Sequence, residues 1–285
     1  MNKKCIVVYV DDNENGLEEF SWLYKSWVLC GLDSEYDIIA YSNPSIIIHI
    51  PIHDNLIIKP MEPIYKVDSF WKDYKFVNSF GMFNDQSECD WIASKYDYIL
   101  KTDSDVFLTK NMMGLKPDRV MIGMGGYMQN FEEVSSNLSR ISKKIGFRDA
   151  GLNHVGASIF GKSEIVIPLV KEHFILTKYI LLTEFKDNKG VWPGWSKGVS
   201  SMYAIHLAVN NKLSFMNTNL YSLDSLCRDN IIDMNTYHIH AWHGGDFSKH
   251  KWFRGEYKKL ESKTMPEVAK DYCLWVASND LKDLI

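Results

Sequence analysis

No part of this chain gathers positive charge. Its 32 lysines and arginines are outnumbered by 36 aspartates and glutamates, for a net charge of -4, and they are scattered along the sequence. A protein that draws its affinity from nucleic-acid phosphates needs a basic stripe, so nucleic acid is not an expected partner. Long hydrophobic runs are missing as well. The greasiest stretches, "SIIIHIPIH" and "HFILTKYILLTEF", fall short of the roughly 20 residues a membrane-spanning helix needs, and polar groups interrupt them, so membrane insertion is not expected. Cysteine is sparse: Cys5, Cys30, Cys89, Cys227 and Cys273 are odd in number, far apart and never in a C-x-x-C arrangement. That spacing disfavours both a disulfide framework and a thiolate zinc site. The opening "MNKKCIVVYVDDNENG" lacks the small-residue cleavage site of a signal peptide, because two aspartates follow Val10, and it reads as a first β-strand. A reducing, cytoplasmic setting is the expectation. The sequon at Asn137-Leu138-Ser139 lies inside a helical pattern and would matter only in a secretory protein.

What remains is the composition of a globular domain, 46% apolar and 24% charged over 285 residues, long enough for a substantial core. Residues 4 to 10 are β-rich. Leu17, Phe20, Tyr24, Trp27 and Val28 then recur at helical spacing, with Asp and Asn before them as caps. A second strand follows at 36 to 42, an apolar segment near 46 to 58, and helical patterns through about residue 95. "RVMIGMGGY" reads as a strand broken by glycines. Phe131, Val134, Leu138, Ile141 and Ile145 mark an amphipathic helix closed by Gly146. "HVGASIF" is a strand, residues up to about 185 are mixed apolar segments, 199 to 211 is a helix, 213 to 216 and "TYHIHAW" are strands, and the tail after 255 is helix plus a polar end. Strands alternating with helices predict the α/β class, a mixed and mostly parallel sheet with helices on both faces, in one domain of two lobes.

The stretch that carries chemistry is "YILKTDSDVFL", residues 98 to 108. In an extended chain residues i and i+2 point the same way, so Asp103 and Asp105 would converge at the end of a strand with Ser104 turned away. Two carboxylates about 5 Å apart at an effective dielectric near 20 repel by roughly 3 kcal/mol, which a shared proton or a divalent cation relieves. Oxygen ligands favour magnesium, calcium or manganese, and such ions keep positions for substrate phosphates. In open α/β sheets that location, beyond the carboxyl end of a strand, is where ligands sit. The competing reading is a solvated turn, since D-x-D also arises by chance.

A hydrophobic strand followed by "TDSDVFL" resembles the D-x-D signature of GT-A glycosyltransferases. The ordered run "KTDSDVFLT", "GMGGY", "NHVGASIFG", "WSKGVSSMYAIHLAVN" and "HIHAWHGGDFSKHKW" is similar to a group of small GT-A-like proteins of large algal DNA viruses and algae, over roughly residues 95 to 255. The resemblance implies a GT-A, Rossmann-like fold over 1–285, with a nucleotide-sugar-binding half at 1–127 and an acceptor-side half at 128–285. It also implies a metal-dependent hexosyl- or pentosyltransferase using a nucleotide diphosphate sugar, uridine first among them, and a glycan or glycoprotein acceptor. By the same resemblance Asp103 and Asp105 are the catalytic pair and metal ligands, with manganese first and magnesium second.

His238, His240 and His243 fall within "YHIHAWHGGDFSKHKW", followed by Lys249 and Lys251. The family's ending, in which a late histidine completes the metal shell and a lysine meets the diphosphate, selects His240 and then His243 as ligands, and Lys249 and Lys251 for the donor. Its retaining members favour retention of configuration. Packing histidines at a sheet edge are the alternative. Asp11, Asp12 and Asn13 stand where such a fold cradles base and ribose, or cap a helix. Lys75, Asn78 and Ser79 resemble the helix face that meets the nucleotide, or are a solvated face, and Ser104 within the acid motif is a further candidate for binding the donor. Trp192 and Trp195 could stack on an acceptor or fill the core. Gly125-Gly126 and Gly156-Ala157-Ser158 suit a close-fitting sugar pocket or tight turns. Asp149, Glu164, Asp224 and Asp246 are all placed to serve as a base, and none stands out. Two other readings stay open. A haloacid-dehalogenase-type phosphatase would use Asp103 as nucleophile, although that motif normally lies on the first strand and Phe107 stands where threonine or valine is usual. A degenerate transferase would bind glycan or nucleotide without turnover.

Overall fold

The computed structural model describes residues 3–217 and 222–284. In chain order the strands are β1 (Lys4–Val10), β2 (Tyr36–Ser42), β3 (Leu56–Pro60), β4 (Tyr98–Lys101), β5 (Val106–Leu108), β6 (Val120–Met124), β7 (Val155–Lys162), β8 (Met216–Asn217), β9 (Ser225–Leu226) and β10 (His238–His240). The longer helices are α1 (Glu14–Leu29), α2 (Gln86–Lys95), α3 (Phe131–Ile145), α4 (Ser163–Thr183) and α5 (Ser200–Asn211), followed by the short α6 (Lys249–Phe253) and then α7 (Ala269–Ser278). This is the α/β class expected from the alternation.

Two compact units share the chain, and neither is contiguous. One is Met1–Lys3, Pro63–Lys101 and Pro117–Leu220; the other is Lys4–Glu62, Thr102–Lys116 and Tyr221–Ile285. In the second, β1, β2 and β3 are parallel neighbours in the order β3-β2-β1, with Val7 beside Ile39 and Ile39 beside Ile57. All seven residues of β1 are buried, as its unbroken "KCIVVYV" demands of a strand covered on both faces. Asn13 caps α1 by accepting from the Gly16 N–H at 2.9 Å. The buried face of α1 carries Trp22, whose ring stacks on Phe107 of β5 at 5.4 Å and 9°.

β5 belongs to a second, three-stranded sheet of order β5-β10-β9. It runs antiparallel to β10, pairing His238 with Leu108, Ile239 with Phe107 and His240 with Val106. Alternation sends Phe107 and Ile239 into an aromatic core with Trp22, Phe247 and Tyr272, and turns the two histidines away from it. Lys25 of α1 donates to the carbonyls of Ala277 and Asn279 at the end of α7, which fastens that C-terminal helix with a favourably placed cation.

In the other unit β4 and β6 flank β7 antiparallel, and β8 joins β6 parallel. A register shift between Ile122 and Met124 lies within β6, at the start of the expected glycine-rich stretch. α3 spans the expected residues and closes on Gly146 at φ +73°. In place of the mixed apolar pieces expected before residue 185 stands a single helix, α4, of 21 residues, with Pro168 inside it. The strand expected near 213 to 216 begins as a 3-10 turn, Leu213–Phe215, and only Met216–Asn217 pairs. Among the described residues no helix is long and apolar enough to cross a membrane.

Candidate metal centre

The acid motif does not end a strand. β4 stops at Lys101, β5 starts at Val106, and Asp103-Ser104-Asp105 forms the bend between them. The cause is a change of partner. The Thr102 N–H donates to the Val7 carbonyl at 3.2 Å, whereas the Asp105 carbonyl accepts from the Ala241 N–H at 2.9 Å. The backbone is therefore drawn from β1 towards β10 within a few residues. The carboxylates still converge, through the bend instead of strand alternation. Asp105 is 4% exposed, Ser104 is buried and Asp103 is half-buried.

Pairing of β5 with β10 brings His240 to the same point, its Nε2 3.1 Å from Asp105 Oδ1. Ligand atoms of Asp103, Asp105 and His240 all lie within 4.8 Å of one another. Lys249, the first residue of α6, reaches in towards the other oxygen: its Nζ is 2.6 Å from Asp105 Oδ2 and 3.4 Å from Glu19 of α1. The turn before α6 is fixed by the Cys227 carbonyl, which accepts from the N–H groups of Asp246 and Phe247, and by Ser248 Oγ donating to the His243 carbonyl. Gly245 takes φ +114° there, and an added Cβ would lie 3.1 Å from the Cys227 oxygen.

Acids outnumber cations in this cluster, and the protonation equilibria show it. Burial pushes the Asp105 carboxyl up, but His240 and Lys249 overcome that and hold it below the usual carboxylate range. Burial likewise disfavours the His240 imidazolium, yet Asp105 and Asp224 raise it well above the ordinary histidine value. Lys249 is raised in spite of its burial by Asp105 and Glu19. Glu19, desolvated and then repelled by Asp105, is pushed up to about 7. Asp11 at the rim is raised by desolvation and then by Asp103. Two carboxylates and an imidazole in a site with surplus negative charge fit a divalent cation, and the Lys249 ammonium beside Asp105 offsets only part of that surplus.

The remaining sequence candidates are distributed as follows. Asp12 lies 3.5 Å from Asn43 Nδ2, and Asn13 caps α1. His243 is exposed with its ring 4.4 Å from that of His250, outside the group of three, and Lys251 is exposed on α6. Lys75 and Asn78 belong to the other unit, where Lys75 lies over the Tyr65 ring at 5.3 Å and buried Asn78 accepts from the Ile64 N–H at 2.8 Å. Ser79 donates to the Phe76 carbonyl. Asp149 and Glu164 are exposed in that unit too, and Asp246 accepts from the Asp229 N–H at 2.8 Å. Half-buried Trp195 is sandwiched by the rings of Tyr203 and Phe185, whereas Trp192 is exposed. Gly125 packs closely, since a Cβ there would lie 2.5 Å from the Val155 oxygen, and Ser158 is buried. Glu19 carries no mark in the sequence, because nothing local distinguishes it from Glu18 beside it.

A model of one protein family matches residues 1–279 of this chain, the family described as "Domain of unknown function (DUF7164)". The chain belongs to DUF7164. No curated protein matches this DUF7164 chain. Among solved structures it is similar to galactosyltransferase LgtC, crystallised in complex with donor and acceptor sugar analogs, at 12% identity and a TM-score of 0.44. That match covers 74% of this chain and 72% of the other. A likeness so remote carries no weight for the fold or the activity of this DUF7164 domain, which rest on its own residues.

Proposed function

We propose that this chain is a metal-dependent glycosyltransferase of the GT-A type, transferring a sugar from a nucleotide diphosphate donor, a uridine one first, to a glycan acceptor. The observation that carries the reading is the convergence of Asp103, Asp105 and His240 with Lys249 at one end of a parallel α/β layer. Asp103, Asp105 and His240 would hold the cation, and the mixed oxygen and nitrogen donors suit manganese before magnesium. Bound there, a divalent ion supplies Lewis-acid charge for a departing nucleotide diphosphate. Lys249 adds a cation beside Asp105 that complements an anionic donor, and the half-buried setting strengthens its field. Asp11, close after the end of β1, is on the same rim and is offered to the ribose and base. Retention of configuration is the favoured outcome, in keeping with the histidine and lysine ending of the site.

Thermal denaturation with uridine, guanosine, cytidine and thymidine diphosphates, each with and without manganese, tests the binding half of this reading. A ligand at a hundred times its dissociation constant stabilises the native state by about 2.7 kcal/mol, a shift of a few degrees for a chain of this size. A manganese-dependent shift with one nucleotide is expected, followed by hydrolysis or transfer of the matching sugar nucleotide. Absence of both across the panel would overturn the proposal. Binding without turnover would replace it by a degenerate, binding-only domain.

A further inference from the structure

Behind His240, on the side away from Asp105, stands a carboxylate that a solvent-exposed loop would not need. Asp224 is wholly buried, and its backbone sits at φ +53°, in the left-handed region that residues with a Cβ seldom enter. Its Oδ1 is 3.1 Å from His240 Nδ1, while the other ring nitrogen of His240 faces Asp105 at the same distance. His238 holds this arrangement from beneath. Its Nδ1 accepts from the Asp224 N–H at 2.9 Å, which leaves Nε2–H to donate to Thr102 Oγ1 at 2.8 Å. That imidazole is thus neutral, and it ties the residue before Asp103 to the backbone of Asp224.

We infer that Asp224 is a positioning residue for the metal centre: it accepts the His240 Nδ1–H and so presents Nε2 as the lone-pair ligand beside Asp103 and Asp105. The inference rests on the metal-dependent reading above and adds to it a part distinct from ligation. A buried carboxylate in a strained conformation is costly unless its charge and direction are used. Here Oδ1 lies 3.1 Å from His240 Nδ1 and 3.5 Å from His238 Nδ1, and a carboxylate placed against the non-ligating nitrogen of a ligating histidine fixes its tautomer and raises its basicity. Of the four acids that the sequence offers as a base, Asp224 is the one within 3.1 Å of His240, and it is closed off from solvent.

Manganese affinity, read from the free-ion signal in electron paramagnetic resonance, separates the outcomes. Two substitutions respect the backbone: Asp224→Gly accepts positive φ and removes the carboxylate, and Asp224→Asn tolerates positive φ and keeps an uncharged acceptor. We expect about 10- to 100-fold weaker manganese binding for Asp224→Gly and a smaller loss for Asp224→Asn. At one fixed, sub-saturating magnesium concentration the nitrogen-15 spectrum of His240 should show a metal-bound ring with its proton on Nδ1 in the wild type and a larger share of uncoordinated ring in the glycine variant. Folding of each variant is checked by circular dichroism, and should the glycine variant fail to fold, the asparagine variant decides. Folded variants that bind manganese within twofold of wild type, with an unchanged His240 spectrum, would overturn the inference while leaving the metal reading intact. A wild-type protein that binds no manganese would overturn the metal reading itself, and this inference with it.

Discussion

Asp105 concentrates the chemistry of the site at a single side chain. It is buried, yet it stays ionised because His240 and Lys249 address its two oxygens separately. Asp105→Asn keeps the shape and removes the charge, so on the transferase reading proposed above turnover of a sugar nucleotide should fall by about a hundredfold or more, the scale of losing a main electrostatic stabiliser. Steady-state kinetics checks this, and activity within threefold of wild type would mean that another acid holds the cation. At this scale the sequence is readable where a signal is local: two acids one residue apart, and histidines spaced for one face of a strand. Glu19 and the orienting part of Asp224 are opaque for the opposite reason. Glu19 takes its meaning from Asp105, far along the chain, and Asp224, in the bend before β9, from a histidine on β10, and neither sits in a pattern that sets it apart from ordinary surface acids.

Elements are legible to the extent that periodicity and caps are strong. β1, β2, α1 and α3 lie where alternation, helical spacing, Asn13 and Gly146 put them. Alternation puts the acid motif on a strand, and it lies in a bend, because the two hydrogen-bond partners that divide β4 from β5 are Val7 and Ala241, which no local reading can supply. α4 is hidden from the same reading because it is apolar nearly all round, and a helix buried on most sides loses the contrast that periodicity needs. Gly16 illustrates a close approach that fixes an element. An added Cβ would stand 2.5 Å from the Asp11 carbonyl, so the start of α1 and the rim loop could not both keep their places. Gly16→Ala should therefore cost about 1–3 kcal/mol in urea denaturation, although alanine is intrinsically the better helix former by about 1 kcal/mol. Unchanged or increased stability would show that the loop is not held against the helix.

At the scale of the whole molecule, three histidines among the described residues, His173, His206 and His238, are buried where the neutral imidazole is favoured. His173 is pushed down to about 3 by burial and by Lys101, and its Nδ1 has no hydrogen-bond partner among the described residues. His206 is lowered to about 4, chiefly by burial, with Tyr127 bonded to its Nδ1, and His238 is lowered to about 4 by burial. Each has a folded value below the ordinary 6.5, so between those values the unfolded chain binds more protons. Their stabilising contribution is complete above pH 6.5 and is lost as pH falls towards 4. Glu19 and Asp11 work the other way, the contribution of Glu19 being lost as pH rises from its ordinary 4.5 through about 7. The three histidines outweigh the two carboxylates, and the metal-free protein should show a falling thermal midpoint from pH 6.5 to 4.5. His206→Gln should make that slope shallower; an equal slope would mean that His206 is not a neutral, buried group. The α/β class is legible at this scale from the alternation of elements, but the division into interleaved units is not, because it depends on pairings that sequence order conceals.

That interleaving also sets a timetable for synthesis. Thr102 waits for His238, 136 positions later, Asp105 for Lys249, 144 positions later, and Lys25 for the carbonyl of Ala277, 252 positions later. The ribosome therefore releases the acid motif long before its partners exist, and the unit that gathers Asp103, Asp105 and His240 can close only after most of the chain has been made. Contacts of such separation are slow to form and expose unpaired strands meanwhile. A nascent chain stalled before residue 238 would carry every acid of the site, Asp11, Glu19, Asp103, Asp105 and Asp224, and neither His240 nor Lys249 to balance them.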